Sequence, residues 1–330
     1  MKVAIVGAGA IGGFLGARLA AAGQCELSTL ARGATLAALQ THGFRLREGG
    51  REVGGPVRAS DRAAELGAQD LVIVAVKGQS LAAVAPAVQA LLGQNTVVLP
   101  AMNGVPWWFG HGVVALGDEP LHSVDPGGTI AAAIPLSHVV GCVVHASTSS
   151  PEPGVVQHAM GQGLIVGEPA GGASSRVERV AMLLAGAGFD VTLSADIRQA
   201  IWYKLWGNLT MNPVSAITGA TIDRILVDPD LLAFCSAAMR EAAAIGRRIG
   251  CDIAQSTEDR HAITRKLGAF KSSMLQDVEA GRSLELDAIV GAVSELGRRL
   301  GVATPNVDTL LGMTRLFGRV RGLYPGPASG

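Results

Sequence analysis

The chain has no surplus of charge of either sign, since its 330 residues include 27 Lys and Arg against 27 Asp and Glu. A balanced charge provides no net field that would attract nucleic acid or an anionic membrane, so we expect the partner to be a small molecule. Only four cysteines occur, far apart and without a Cys-x-x-Cys pair, which disfavours a disulfide scaffold and a zinc site. We therefore expect no bound metal and reduced thiols in the cytoplasm.

The sequence also lacks an apolar run long enough to span a membrane. Met1-Lys2 and the apolar residues that follow resemble a signal peptide, but Gly7, Gly9 and Gly12 would break an apolar signal helix. We therefore expect no membrane segment. A length of 330 residues exceeds the size at which single cores stop growing, so two domains are expected.

The apolar periodicity changes from strands alternating with helices to helices alone. Lys2–Val6, Ala10–Ala22 and Gln24–Leu30 predict a βαβ unit. The strands Phe44–Arg47 and Glu52–Ala59, on either side of Gly49-Gly50, predict a hairpin. The later segments of the first half predict the strands Asp70–Val76, Thr96–Leu99, Val139–Ala146 and Pro151–Val166 and the helices Gln79–Leu92 and Ser174–Ala187. The second half predicts the helices Ala195–Met211, Pro229–Ile249, Thr257–Ala280, Leu286–Leu300 and Pro305–Val320.

A glycine-rich segment joins the first strand to the first helix, with the sequence Gly7-Ala8-Gly9-Ala10-Ile11-Gly12. Gly7 permits a tight turn, Gly9 lets the backbone approach a pyrophosphate, and Gly12 lets the helix pack on the strand. The anion would bind the unpaired N–H groups at the positive end of the helix. We therefore assign the chain to the α/β class, with a Rossmann-type dinucleotide-binding domain at residues 1–180 and an all-α domain at residues 181–330.

Three side chains follow strands of this domain and are predicted to contact the cofactor. Arg32 stands near the end of the second strand, where NAD enzymes usually carry Asp or Glu, and an arginine there favours the 2′-phosphate of NADP. The alternative is that Arg32 is a solvated loop residue. Lys77 and Asn103 each follow an apolar strand, and ligands bind beyond the carboxyl ends of such strands. The backbone at Ser147 is a further candidate cofactor contact.

The stretch Ala200–Pro213 carries one charge, Lys204, and two amides, Asn208 and Asn212, at successive four-residue steps. On a helix these three side chains share one face. An ammonium set among Trp202, Tyr203 and Trp206 is expected to be partly desolvated, which lowers the pKa of a lysine and makes it a proton donor near neutral pH. The alternative is a lysine that extends from a core helix to solvent.

Further along, Ser272-Ser273-Met274-Leu275-Gln276-Asp277 could hold a carboxylate, and Glu285 could accept a hydrogen bond from a hydroxyl or an amide. With the glycine turn, Lys77, Asn103-Gly104 and the helix of Lys204, these segments occur in the order and spacing of one family. Over nearly its full length the chain resembles the ketopantoate reductases, the 2-dehydropantoate 2-reductases.

The resemblance implies an NADPH-dependent reduction of a 2-oxo acid in pantothenate biosynthesis, with the substrate held between a Rossmann domain and a helical domain. It makes Lys204 the general acid and places Asn103 near both the nicotinamide and the substrate. Asn208 and Asn212 become polar contacts to substrate and Ser273 a carboxylate contact. Glu285 becomes a second catalytic residue and a contact near the nicotinamide carboxamide.

Some positions depart from the best-known enzymes of the family. Ile222 and Phe270 stand where those enzymes carry asparagines that contact the substrate, so another branched or aromatic 2-oxo acid is an alternative substrate. Trp107 and Trp108 follow Asn103 and either reshape the substrate pocket or pack the domain interface.

Two other functions and one assembly remain open. A related β-hydroxyacid or imine reductase is the enzymatic alternative, although the Ser272–Asp277 segment favours the ketopantoate reductases. An NADPH-sensing module without turnover is the alternative outside enzymes. The apolar residues of the helical domain could bury the interface of a homodimer.

Overall fold

A computed structural model of the chain describes residues 1–326. The chain forms two compact units, of which one comprises Met1–Trp108 and Gly127–Ala200, and the other comprises Phe109–Pro126 and the chain from Ile201 onward. None of the helices within residues 1–326 is long and apolar enough to cross a membrane.

The first unit contains every named strand. The strands are β1 (Lys2–Val6), β2 (Glu26–Leu30), β3 (Phe44–Glu48), β4 (Arg51–Gly55), β5 (Arg58–Ser60), β6 (Gln69–Val74), β7 (Leu92–Pro100), β8 (Gly141–Glu152), β9 (Val155–Gly167) and β10 (Asp190–Leu193). Its helices are α1 (Ala10–Ala22), α2 (Gly33–His42), α3 (Ala63–Leu66), α4 (Leu81–Gln89), α5 (Thr129–Ala133) and α6 (Ser175–Gly186).

Five parallel strands form the sheet that the βαβ pattern predicts, in the order β5-β2-β1-β6-β7. The chain builds outward from β1 through β2 to β5 and then returns to the other side of β1 with β6. The direction of strand addition therefore reverses between β1 and β6. Ligands of open α/β sheets bind at such a reversal, beyond the carboxyl ends of the strands.

The first unit contains a second sheet, which the sequence did not predict. It has the order β10-β9-β3-β4, with β8 antiparallel to β9. The predicted hairpin forms between β3 and β4 around Gly49-Gly50. The prediction that its second strand continues to Ala59 is wrong, because the chain turns away after Gly55 and β5 pairs with β2 in the parallel sheet.

Helix α1 packs tightly against the second sheet because it carries glycines where the two meet. A Cβ atom on Gly13 would lie 2.5 Å from Val156 Cγ2, and one on Gly16 would lie 2.5 Å from the ring of Phe44. The fully buried Phe14 belongs to the same core cluster. This close contact fixes the start of α1, where the glycine turn lies.

The second unit is helical, as predicted. Its helices are α7 (Ile197–Thr218), α8 (Ile222–Val227), α9 (Pro229–Arg248), α10 (Thr257–Arg265), α11 (Ser273–Glu279), α12 (Ala292–Leu300) and α13 (Pro305–Val320), with a π-helical turn at Asp287–Gly291. The predicted helix Thr257–Ala280 is two helices, separated by a loop in which Gly268 adopts a φ of 70°. The short α8 was not predicted.

The observed division of the chain differs from the predicted boundary between residues 180 and 181 at two places. Residues 181–200 belong to the first unit, because β10 extends the second sheet beside β9. Residues 109–126 belong to the helical unit, where the carboxylate of Glu295 accepts hydrogen bonds from the backbone N–H groups of His122 and Ser123, each at 2.8 Å.

Candidate functional site

The glycine turn after β1 is packed so closely that two of its glycines leave no room for a side chain. Gly7 has a φ of 94°, and a Cβ atom there would lie 2.6 Å from Val76 Cγ1. A Cβ atom on Gly12 would lie 1.9 Å from the carbonyl oxygen of Gly7 and 3.1 Å from Ala75 Cβ. These glycines therefore press the turn and the first residues of α1 against the segment that follows β6.

Gly9 differs from Gly7 and Gly12 because there is free space where its side chain would be. A Cβ atom there would meet no atom within 4 Å. Gly9 is the N-cap of α1, and neither a capping side chain nor an acidic residue occupies the first turn of that 13-residue helix. Ala8 and Ile11 pack against the core, so their contribution to a ligand would come from the backbone, as would that of Ala10. The open N-terminus of α1 fits a diphosphate, because its N–H groups have no partners within the helix.

Arg32 lies two residues beyond the end of β2 and is exposed. Its side chain makes no hydrogen bond or ion pair with residues 1–326. The neighbouring strand β5 ends beside the end of β2, since the N–H of Ala31 donates to the carbonyl of Ser60 over 3.0 Å. A guanidinium that is not neutralised at this edge can receive an anionic group.

Lys77 and Asn103 occupy equivalent places on neighbouring strands. β6 and β7 are paired so that Val74 lies opposite Pro100, and each of the two polar residues comes three positions later. Both side chains are half-buried. The pairing therefore brings Lys77 and Asn103 to the same edge of the parallel sheet, next to the point where strand addition reverses.

Ser147 lies elsewhere in the first unit. It belongs to β8, in the second sheet, and stands opposite Met160 of β9 at an irregularity of the ladder. Its side chain is half-buried. Of the candidate cofactor contacts in this unit, Ser147 is the one outside the carboxyl edge of the parallel sheet.

On α7 the polar residues Lys204, Asn208 and Asn212 form a row, as predicted. Lys204 and Asn208 are half-buried and Asn212 is 6% exposed. Trp202 and Trp206 stand two positions from Lys204, and residues two positions apart point to different sides of a helix. Both tryptophans are buried there.

The two tryptophans anchor the back of α7 to the core of the helical unit. The indole N–H of Trp206 donates to the carbonyl of Met239 on α9 over 2.7 Å. Trp202 stacks on Phe109 with 5.8 Å between ring centroids. These contacts fix the rotation of α7 about its axis, so the row of Lys204 stays on the less buried face.

The Ser272–Asp277 segment meets this row directly. Asn212 Nδ2 donates to Ser273 Oγ over 3.5 Å, which joins residues that are far apart in sequence. Ser272 is buried and caps α11 by accepting from the N–H of Leu275, while Ser273 is exposed. The two serines therefore have different tasks, and Ser273 is the one whose hydroxyl can reach a ligand.

Glu285 lies in the stretch between α11 and the π-helical turn. Its side chain is half-buried, whereas its neighbours Leu284 and Leu286 are 2% and 0% exposed. The leucines hold the backbone against the core on both sides of the carboxylate. Within residues 1–326 no group of three or more His, Cys, Asp or Glu side chains could hold a metal ion.

Sequence reasoning missed a second cation beside α7. The guanidinium of Arg260 lies over the ring of Tyr203 at 4.8 Å, and its Nη1 donates to Tyr203 Oη over 3.2 Å. It fits there because of a glycine, since a Cβ atom on Gly207 would lie 2.6 Å from Arg260 Nη2. No local pattern around Arg260 indicates this contact, which depends on how α10 packs.

The residues that depart from the family pattern are structural. Ile222 is fully buried in a core cluster of the helical unit, and its N–H donates to the carbonyl of Phe270, which packs against that cluster. Trp107 and Trp108 are 4% and 3% exposed. Ile222 is therefore a core residue, whereas Phe270 is half-buried, and a different branched or aromatic 2-oxo acid stays an alternative substrate.

Comparison with known proteins agrees with this arrangement in both units. Residues 3–171 match the family described as "Ketopantoate reductase PanE/ApbA", and residues 196–317 match its counterpart "Ketopantoate reductase PanE/ApbA C terminal". The chain belongs to the ketopantoate reductase family. The resemblance stated from the sequence is thereby confirmed, and the chain is a member of an oxidoreductase family.

Individual relatives of this ketopantoate reductase family member cover nearly its whole length. A 2-dehydropantoate 2-reductase of Mesorhizobium japonicum is 45% identical over 325 residues, which are 98% of this chain and 100% of the relative. The crystal structure of a candidate ketopantoate reductase from Ralstonia solanacearum superposes with a TM-score of 0.94 at 56% identity, covering 98% and 99% of the two chains. D-mandelate dehydrogenase with NADH and anilino(oxo)acetate shares the fold, with a TM-score of 0.83 at 21% identity and coverage of 98% and 100%.

Proposed function

We propose that this protein reduces 2-dehydropantoate to pantoate with NADPH, and that Lys204 is the general acid. The observation that carries the proposal is the polar row on α7, with Asn212 in contact with Ser273. A 2-oxo acid offers a carbonyl beside a carboxylate. The ammonium of Lys204 would bind the carbonyl, and the hydroxyl of Ser273 would bind the carboxylate.

NADPH, when bound, supplies the hydride for the carbonyl carbon. The open turn at Gly7–Gly12 would hold its diphosphate, and Arg32 its 2′-phosphate. Lys77 and Asn103, at the shared strand edge, would contact the rest of the dinucleotide, with Ser147 and Glu285 as further contacts. The open N-terminus of α1 and the unneutralised Arg32 are the features of this chain that fit such a group.

Lys204 acts on the carbonyl oxygen of the substrate. Its ammonium donates a hydrogen bond to that oxygen, stabilises the negative charge that develops there, and transfers a proton to it. Asn208 and Asn212 donate to the polar groups of the acid, and Ser273 donates to its carboxylate. Asn103 would contact both the substrate and the nicotinamide end, and Glu285 would accept a hydrogen bond from the carboxamide.

The test is Lys204→Met, which keeps most of the side-chain volume and removes the charge. General acid catalysis contributes about a hundredfold to ten-thousandfold, so we expect kcat to fall on that scale while the Kd for NADPH and the Tm stay unchanged. Lys266→Met is the matched control, because Lys266 is exposed at the end of α10. A Lys204→Met enzyme that turns over at the normal rate would refute the assignment.

The choice of substrate and cofactor is tested in the same assay. Oxidation of NADPH is followed with ketopantoate, with other branched 2-oxo acids and with aromatic 2-oxo acids, and then with NADH in place of NADPH. We expect the highest kcat/KM for ketopantoate with NADPH. A preference for another 2-oxo acid would identify a different reductase, and binding of NADPH without turnover of any acid would favour a sensing module. A cytoplasmic location and a homodimer stay predictions.

A further inference from the structure

After α13 the chain packs against residues 284–287, which we call the Glu285 stretch. Leu323, which is 6% exposed, donates its N–H to the carbonyl of Gly318 over 2.7 Å. Its own carbonyl accepts from the N–H of Leu284 over 2.9 Å. Leu323, the most deeply buried of residues 321–326, is thus bonded to the residue directly before Glu285.

A side chain of the same segment makes a second bond on the other side of Glu285. Tyr324 Oη donates to Asp287 Oδ1 over 2.6 Å. Burial and the neighbouring Asp287 carboxylate raise the pKa of Tyr324 to about 12. The phenol therefore stays protonated, and remains a donor to Asp287, throughout the pH range in which the enzyme would be assayed.

The position of Tyr324 is itself determined by α13. A Cβ atom on Gly318 would lie 2.8 Å from Tyr324 Cβ, so glycine is required for this approach. Arg319 lies over the ring at 5.8 Å and donates its Nε–H to the carbonyl of Pro325 over 3.1 Å. Tyr324 is thus held by its backbone neighbours, by its ring and by its hydroxyl.

The two bonds enclose a very short stretch of chain. The Leu323 carbonyl holds the backbone at Leu284, and the Tyr324 hydroxyl holds the side chain of Asp287, where the π-helical turn begins. Between them lie only Glu285 and the buried Leu286. Irregular backbone of this kind has no helix or sheet ladder of its own to fix it, so contacts from elsewhere decide where the Glu285 carboxylate lies.

We propose that Tyr324 is a positioning residue, which holds the Glu285 stretch through its hydrogen bond to Asp287 and thereby places the Glu285 carboxylate for its contact with the cofactor. The inference rests on the proposed function for the role of Glu285. It gives the segment that follows α13, far from Lys204 in sequence, a part in the same reaction.

The test is Tyr324→Phe, which removes the hydroxyl and keeps the ring against Gly318 and Arg319. A hydrogen bond to a charged group contributes on the order of a tenfold change in an equilibrium or more. We expect kcat/KM to fall roughly tenfold at 25 °C. Arg321→Gln is the control, because Arg321 is an exposed neighbour whose guanidinium lies over the ring of Phe317 at 4.7 Å, away from Asp287.

A merely structural role would lower the Tm and leave kcat and KM at 25 °C unchanged, which would overturn the proposal. The double variant Glu285→Gln with Tyr324→Phe makes the test specific. If Tyr324 acts through Glu285, the double variant is no slower than Glu285→Gln alone. Losses that multiply would show that Tyr324 acts independently, and would also overturn it.

The failure of the proposed function is distinguishable from the failure of this inference. A fully active Glu285→Gln enzyme would remove the role of Glu285, and the inference with it, whatever Tyr324→Phe does. An inactive Glu285→Gln enzyme beside a normal Tyr324→Phe enzyme would overturn only the inference. Ultraviolet titration checks the contact itself, because the difference between the wild-type protein and Tyr324→Phe isolates the ionisation of Tyr324, whose pKa burial and the Asp287 carboxylate raise above the ordinary value of a tyrosine.

Discussion

Two glycines of the turn after β1 should respond in opposite ways to the same added methyl group. In Gly12→Ala the new Cβ would lie 1.9 Å from the Gly7 carbonyl oxygen. Overpacking typically costs about 1–3 kcal/mol, and the upper end applies because the obstacle is backbone that cannot rotate away. At about 2–4 °C per kcal/mol for a unit of this size, the Tm should fall by about 6–12 °C.

Gly9→Ala places its methyl group in open space, since no atom lies within 4 Å of the added Cβ. Alanine is a poorer N-cap than glycine by about 0.5–1 kcal/mol. The loss of flexibility in the unfolded chain contributes about 0.4–1 kcal/mol in the other direction. The two effects nearly cancel, so stability should change by less than about 0.5 kcal/mol.

The methyl group of Gly9→Ala does, however, occupy the side on which a diphosphate would approach the N-terminus of α1. We expect the Kd for NADPH to rise at least about tenfold, which corresponds to about 1.4 kcal/mol. Both variants are measured by thermal unfolding and by titration of NADPH fluorescence. Gly312→Ala is the control, because Gly312 is exposed on α13 and an added Cβ there also meets nothing within 4 Å.

The outcomes separate two parts of the interpretation. Normal NADPH affinity in Gly9→Ala would refute the assignment of the open side of the turn to the diphosphate. An unchanged Tm in Gly12→Ala would refute the claim that the turn is closed by backbone packing. The Gly312→Ala control should bind NADPH normally and be slightly more stable, because alanine favours a helix interior over glycine by about 1 kcal/mol.

Two further predictions concern charge and thiols. In Arg32→Ser the Kd for NADPH should rise about tenfold to a hundredfold because a charged hydrogen bond to the 2′-phosphate is lost, while affinity for NADH stays the same; equal losses for both nucleotides would contradict the 2′-phosphate role. A thiol reagent at pH 8 should modify only Cys25, and slowly, because burial raises the pKa of this half-buried thiol and the other cysteines, including Cys235 with a pKa raised to about 11, are buried. All four should react after unfolding, and rapid reaction of several thiols in the folded protein would contradict the packing.

Elements with clear punctuation were predicted well from the sequence. The bounds of β1, α1 and α13 agree with the structure at both ends. β1 is a β-branched run that ends at a glycine, α1 ends before Gly23 in a left-handed conformation, and α13 begins with a proline in its first turn. Each signal lies within a few residues of the boundary that it determines.

Predictions failed where the deciding contact comes from a distant part of the chain. Nothing in Arg58–Ser60 indicates that it pairs with β2 rather than with its hairpin neighbour. Nothing in the sequence of β10 indicates a strand either, and β10 forms by pairing with β9. Residues 109–126 have no helical pattern of their own and join the helical unit through bonds to Glu295 and Arg299 on α12.

The sequence by itself determined the class of fold, the glycine turn and the alignment of Lys204, Asn208 and Asn212, because each depends on residues within one or two turns of chain. Only the tertiary structure decided that Asn212 meets Ser273, that Trp202 and Trp206 face away from Lys204 into the core, and that Tyr324 bonds to Asp287. Those contacts join segments far apart in the chain, and they form only when buried apolar surface fixes how the helices pack. Local periodicity contains no information about that packing.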